Sequence, residues 1–170
     1  MSKTSIHPSF AISVVMEKVA INNRWQPFKW QPAGILPDDG TRTEATSLGE
    51  REGLLQVLWP GFVLQVYADE AEGNYLNVTS PEPRVFVMYR FDDETTDAFP
   101  HSVTLSYNEA ARWMDAQEKV DGVPMPAEIF AKLSEWVRDN YQPPEKKQRI
   151  RPQSFGSKEG RYDSKIKGGA

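Results

Sequence analysis

Cysteine is absent from the 170 residues, and histidine occurs only twice, at His7 and His101. Without thiols there is no disulfide, no thiolate nucleophile, no zinc finger and no cysteine-ligated iron–sulfur cluster. Two isolated histidines supply no H-x-x-x-H ligand spacing. No apolar run approaches the roughly 18 residues of a membrane-crossing helix, and Met1 to Phe10 lacks the apolar stretch of a signal peptide. The expected compartment is therefore the cytoplasm. A Gly-rich phosphate loop, a G-x-S-x-G elbow, a dinucleotide-binding fingerprint and a D-x-D-x-D-G calcium loop are all missing. These absences lead to the expectation of a protein that is not an enzyme and carries no metal or cofactor.

What is present is distributed unevenly. Residues 143–170 hold eight Lys/Arg and three Asp/Glu, a net +5, whereas residues 1–142 hold twelve Lys/Arg and twenty-one Asp/Glu, a net −9. An acidic body thus precedes a basic tail. The tail has no hydrophobic period and few large apolar side chains. It cannot bury enough surface to offset the entropy of ordering, so disorder is expected from residue 143 onward. Its basic residues, with Phe155 and Tyr162 between them, fit nucleic-acid contact. The plainer reading is a solubilising or partner-docking tail, because the acidic body repels a duplex at close range.

The body reads as strands first and helices last. Residues 1–9 form a lead, and Phe10 to Lys18 is β-branched and strand-like. Pro37 to Gly53 is polar and reads as a long loop. Leu54 to Glu72 reads as a hairpin turning at Pro60-Gly61, a pair suited to a type II turn. Asn74 to Ser80 reads as a weaker strand. Arg84 to Phe91 is apolar on both faces until Arg90, as a central strand is, and His101 to Ser106 is a short one. Ser106 and Glu109 then form an S-x-x-E capping box, opening a helix that Gly122 ends. Pro126 starts a second helix, with Ile129, Phe130, Leu133, Trp136, Val137 and Tyr141 in one stripe. The expected architecture is a single α+β domain over residues 10–142. Its largely antiparallel sheet has about six strands, with two C-terminal helices packed on it.

Three stretches bear on function. Asp69, Glu70 and Glu72 supply carboxylates for acid–base chemistry, but at a strand end they are expected to be solvated and so without perturbed pKa values. His101 lies close in sequence to Asp92, Asp93, Glu94 and Asp97, which read more simply as a solvated acidic loop. "NNRWQPFKWQP", Asn22 to Pro32, packs two tryptophans and a phenylalanine between prolines. It reads as an edge strand, because proline cannot donate to a ladder. Trp25 and Trp30 are an odd number apart, so a regular strand sends them to opposite faces. Trp25 is then expected to be buried, with Trp30 partly exposed beside Phe28 as the anchor for a partner.

The order of motifs resembles a bacterial family of unknown function whose genes lie in clusters with formate dehydrogenase subunits and their maturation factors. Asn23-Arg24-Trp25, Glu70-Ala71-Glu72 and Val123-Pro124-Met125-Pro126 carry the resemblance most specifically, within roughly Ser13 to Tyr141. It implies a cytoplasmic accessory protein for a molybdenum- or tungsten-dependent formate dehydrogenase, with a protein partner and no catalytic residues to transfer. Arg24, Phe28, Trp30, Glu70 and Glu72 are the candidate partner-binding residues. Two other functions remain open: nucleic-acid association through the tail, and a small enzyme with a carboxylate site near Asp69 to Glu72.

Overall fold

The computed structural model describes residues 6–145. The expected tail lies almost wholly outside that range, as do the first five residues.

Two antiparallel sheets and three helices make a mixed α+β fold. The first sheet has the order β2-β1-β4-β3, built from β1 (Ser9–Ala20), β2 (Phe28–Pro37), β3 (Thr46–Arg51) and β4 (Leu54–Gln65). The second has the order β6-β5-β7, from β5 (Arg84–Phe91), β6 (Ala98–Thr104) and β7 (Lys119–Pro124). Between the sheets in sequence come a single 3₁₀ turn, Ala68–Glu70, and helix α1 (Ala71–Val78); α2 (Tyr107–Asp115) separates β6 from β7, and α3 (Ala127–Asn140) follows. β5 is central and β2 lies at an edge, as their sequences indicate. Among the described residues there are seven strands rather than about six, divided between two sheets rather than one.

The core lies between the sheets, closed by α3. Val14 and Met16 from β1, Leu64 from β4, Val85 and Val87 from β5 and Leu133 from α3 are all essentially inaccessible. In α3 the stripe buries Ile129, Leu133, Trp136 and Val137, while Phe130 stays more than a third exposed. Pro126 is the N-cap, one position ahead of the helix proper. The lead is partly engaged: the His7 ring lies 5.6 Å from that of Trp136, and Pro8 accepts the Val66 N–H.

Four local expectations fail for identifiable reasons. Pro60-Gly61 is not a hairpin turn. β4 runs straight through it, because β1 is twelve residues long and pairs with β4 on both sides, from Ser9↔Gln65 to Val19↔Leu54. The register shifts between Ile12↔Phe62 and Val14↔Trp59, so two residues oppose Ser13 as a bulge. Gly61 takes φ +88° there, and its N–H is received by the Asp38 carboxylate at 2.9 Å. The stretch expected as a weaker strand, Asn74 to Ser80, lies mostly in α1. Asn74 and Asn77 are three apart and both buried. The Asn77 side chain binds the N–H and C=O of Arg84 and the C=O of Leu105, tying α1 to the entry of β5 and the exit of β6. The polar loop from Pro37 to Gly53 contains β3, which is exposed along its whole length. Backbone pairing with β4 alone makes it a strand, so it has no hydrophobic pattern to read. The helix expected to run to Gly122 ends at Asp115, and Gly122 sits inside β7.

Candidate partner-binding site

Residues 21–27 connect β1 to β2. The loop is closed by its own backbone: Ile21 N–H donates to Pro27 C=O at 2.8 Å, and Asn23 N–H to Ile21 C=O at 3.0 Å. The Asn23 side chain accepts the Trp25 N–H at 2.9 Å, an Asx turn. This geometry leaves the indole of Trp25 92% exposed. Trp30 is 9% exposed and belongs to the core. The expected arrangement is therefore reversed. Parity counting fails because Trp25 is not in a strand; β2 begins only at Phe28. Within β2 parity does hold. Phe28 and Trp30 share the face that carries Lys18 of β1, whose Nζ lies 4.5 Å from the Phe28 centroid and 5.9 Å from that of Trp30. Phe28 is 44% exposed and Arg24 is exposed. Of the aromatic candidates, Phe28 and the overlooked Trp25 form the accessible surface.

Glu70 and Glu72 lie at the other end of β1, since Ser9 pairs with Gln65 just before the 3₁₀ turn. A twelve-residue strand at about 3.3 Å per residue separates the two groups of candidates by roughly 35 Å. They do not form one site. Asp69 and Glu72 are exposed, as expected of solvated carboxylates. Glu70 is not: its side chain is largely covered, accepts the Ser106 hydroxyl on Oε2 at 2.5 Å, and is ion-paired through Oε1 with Arg112. Ser106 also accepts the Glu109 N–H at 3.1 Å, which is the helix-opening half of the capping box. With 2% exposure its oxygen cannot reach a substrate. The cluster fastens α1 to α2. Nothing in the sequence near Glu70 signals this, because its partners are 36 and 42 residues away.

His101 is exposed in β6, with Nδ1 2.7 Å from the Ser102 hydroxyl. Among the described residues, no three His, Asp or Glu side chains are grouped to hold a metal ion. No helix of the described residues is long and apolar enough to cross a membrane. Tyr89 of β5 donates to Asp121 of β7 at 2.9 Å, and burial, followed by that hydrogen bond, raises its phenol pKa well above the ordinary value.

One cavity escapes sequence reading. A space of about 180 Å³ opens between Phe10 and Ile12 of β1, Ile35 to Pro37 at the end of β2, and Pro126, Glu128 and Ile129 at the start of α3. Its walls are apolar except for Glu128, which lies 3.8 Å from Lys132. Only the packing of α3 across the sheet creates it.

No curated protein and no solved structure matches the chain. A family model described as "Protein of unknown function (DUF3305)" matches residues 11–151. That span takes in all but the first two residues of β1 and every element from β2 to α3, with the Trp25 loop and the Glu70–Ser106 fastening, and the chain belongs to this family.

Proposed function

We propose that the chain is a non-catalytic accessory or assembly protein that binds a formate dehydrogenase-type molybdenum or tungsten oxidoreductase, or one of its maturation factors. The observation that carries the binding part is Trp25. An indole held out by a loop with three hydrogen bonds of its own is costly to expose and contributes nothing to the core, whereas such a ring suits the centre of an interface. The identity of the client rests on the motif resemblance. A carboxylate enzyme site draws less support, because Glu70 is committed to Ser106 and Arg112.

The test is purification of the tagged chain from its native host, followed by mass spectrometry of co-eluting chains and a binding titration with the purified oxidoreductase subunits. Specific, saturable binding of a formate dehydrogenase subunit or maturation factor is the expected result. Saturable binding of an unrelated client alone would end this assignment.

A further inference from the structure

The Lys and Arg side chains of the described residues fall into two groups. Residues 54–142 carry six Lys/Arg against fifteen Asp/Glu, a net −9. Five of those six cations are within ion-pair distance of a carboxylate: Arg84 with Glu82, Arg90 with Glu118, Arg112 with Glu70, Lys132 with Glu128 and Arg138 with Asp139. The sixth, Lys119, lies over the Phe91 ring. Before residue 54 the pattern inverts: Lys18, Arg24, Lys29, Arg42 and Arg51 make no ion pair with any described residue, and the first three lie in or beside the Trp25 loop. Glu50 and Glu52, at the adjoining β3–β4 turn, pair with none of them, and Glu17 is taken up by Gln31 and Gln56. Arg24 and Lys29, on either side of Trp25 in sequence, thus have no carboxylate partner among the described residues, and Lys18 has only the Phe28 and Trp30 rings.

Resting on the reading of a protein client, we infer that the client presents an acidic surface to this end of the sheet. Trp25 enters an apolar recess there, and Arg24 pairs with carboxylates at its rim. The rest of the arrangement fits this partner better than a membrane or a nucleic acid. A single indole set among Asn22, Asn23, Arg24 and Gln26 buries too little apolar surface for stable membrane anchoring, where even one acyl chain is marginal. The −9 remainder of the domain repels both an anionic bilayer and a phosphate backbone. A protein partner needs only a local acidic rim, and a central ring within a charged rim is the usual anatomy of an interface.

The experiment follows the five tryptophan indole N–H signals of the ¹⁵N-labelled full chain by NMR, with the Trp25 signal assigned from Trp25→Ala. The probes are a synthetic peptide alternating Glu with Leu, its Gln-for-Glu counterpart, phosphatidylglycerol vesicles and an oligothymidylate. The expected result is a saturable shift of the Trp25 signal with the Glu-Leu peptide alone. That binding is expected to weaken at least ten-fold in high salt or with Arg24→Glu. An equal response to the Gln peptide overturns the inference, as does a Trp25 response to vesicles or oligothymidylate, or none to any probe. The broader reading fails separately. A formate dehydrogenase client still bound at full strength by Trp25→Ala and Arg24→Glu protein keeps the accessory function and ends this surface. A Trp25 that answers the acidic peptide in a chain that binds no such client does the reverse.

Discussion

Ser106 Oγ donates a 2.5 Å hydrogen bond to Glu70 Oε2 across 36 residues of chain, while the same oxygen caps α2 by accepting the Glu109 N–H. One hydroxyl thus closes the start of one helix and holds the start of another. Glu70→Ala removes the acceptor and leaves the covered Ser106 proton unsatisfied. That loss is worth about 2 kcal/mol, in the range for hydrogen bonds to charged groups. Arg112 is more than half exposed, so its ion pair adds only a few tenths. Glu70→Gln retains an acceptor for Ser106 and should cost less than half as much. Urea denaturation of both variants checks this; equal losses would mean that the ion pair, not the hydroxyl, fastens the helices.

Gly73 is where α1 approaches that fastening. A Cβ built on it would stand 2.0 Å from Ser106 Oγ and 3.0 Å from Asn108 N, with backbone rather than a flexible side chain behind one of the contacts. Gly73→Ala must therefore push the helices apart. It is expected to destabilise by at least the 1–3 kcal/mol typical of overpacking, despite alanine's better helix propensity. Gly34→Ala is the control, since nothing lies within 4 Å of its added carbon and its φ is not positive. Thermal melts of the pair should separate them clearly.

Tyr89 gives an alkaline signature. Its phenol pKa is raised above the ordinary 10.0 by burial and by donation to Asp121. Unfolding returns it to about 10, so the unfolded chain releases the proton first. The stability held by the protonated phenol is present in full below about pH 10 and is lost as the pH climbs above that value. Tyr89→Phe should be less stable at neutral pH by about 1 kcal/mol, the net worth of one hydrogen bond. It should also lose stability less steeply above pH 10. Denaturant midpoints between pH 8 and pH 11 test the slope, and identical slopes would show that the phenol titrates freely.

The parts of the fold that sequence reading recovers are those whose side chains are one-sided. α3 declares itself through Ile129, Leu133, Trp136 and Val137, and β5 through an unbroken apolar run. The missed parts are held by something other than side-chain pattern. β3 has only backbone pairing, and β7 buries little beyond Val123. α1 escapes sequence reading because its buried side chains are the polar Asn74 and Asn77, the latter hydrogen-bonded to Arg84 and Leu105, rather than a hydrophobic stripe. At Pro60-Gly61 a good local turn signal yields to a long partner strand, a case of tertiary pairing overriding local preference. For the candidate site, composition locates the aromatic stretch, but which ring faces water depends on where β2 begins. That boundary is fixed by the hydrogen bond from Ile21 to Pro27, which no residue type announces.

The two tryptophans of that stretch make the last test, because the same substitution must give opposite results five residues apart. Trp30 packs in the core at 9% exposure, against Lys18 on one side and the apolar interior on the other. Trp30→Ala empties a large buried volume and should cost roughly 3–5 kcal/mol, a large share of the roughly 5–15 kcal/mol by which a domain is ordinarily stable. Trp25 touches no buried cluster and is 92% exposed, so Trp25→Ala should stay within about 0.5 kcal/mol of the parent. Acrylamide quenching gives a second reading that does not depend on stability. Trp30 and Trp136 are shielded, and removing Trp25 should delete the most readily quenched part of the emission while leaving the shielded part unchanged. A Trp25→Ala protein that melts several degrees lower, with quenching like the parent's, would place that ring in the core. It would also remove the accessible anchor on which partner binding at this loop depends.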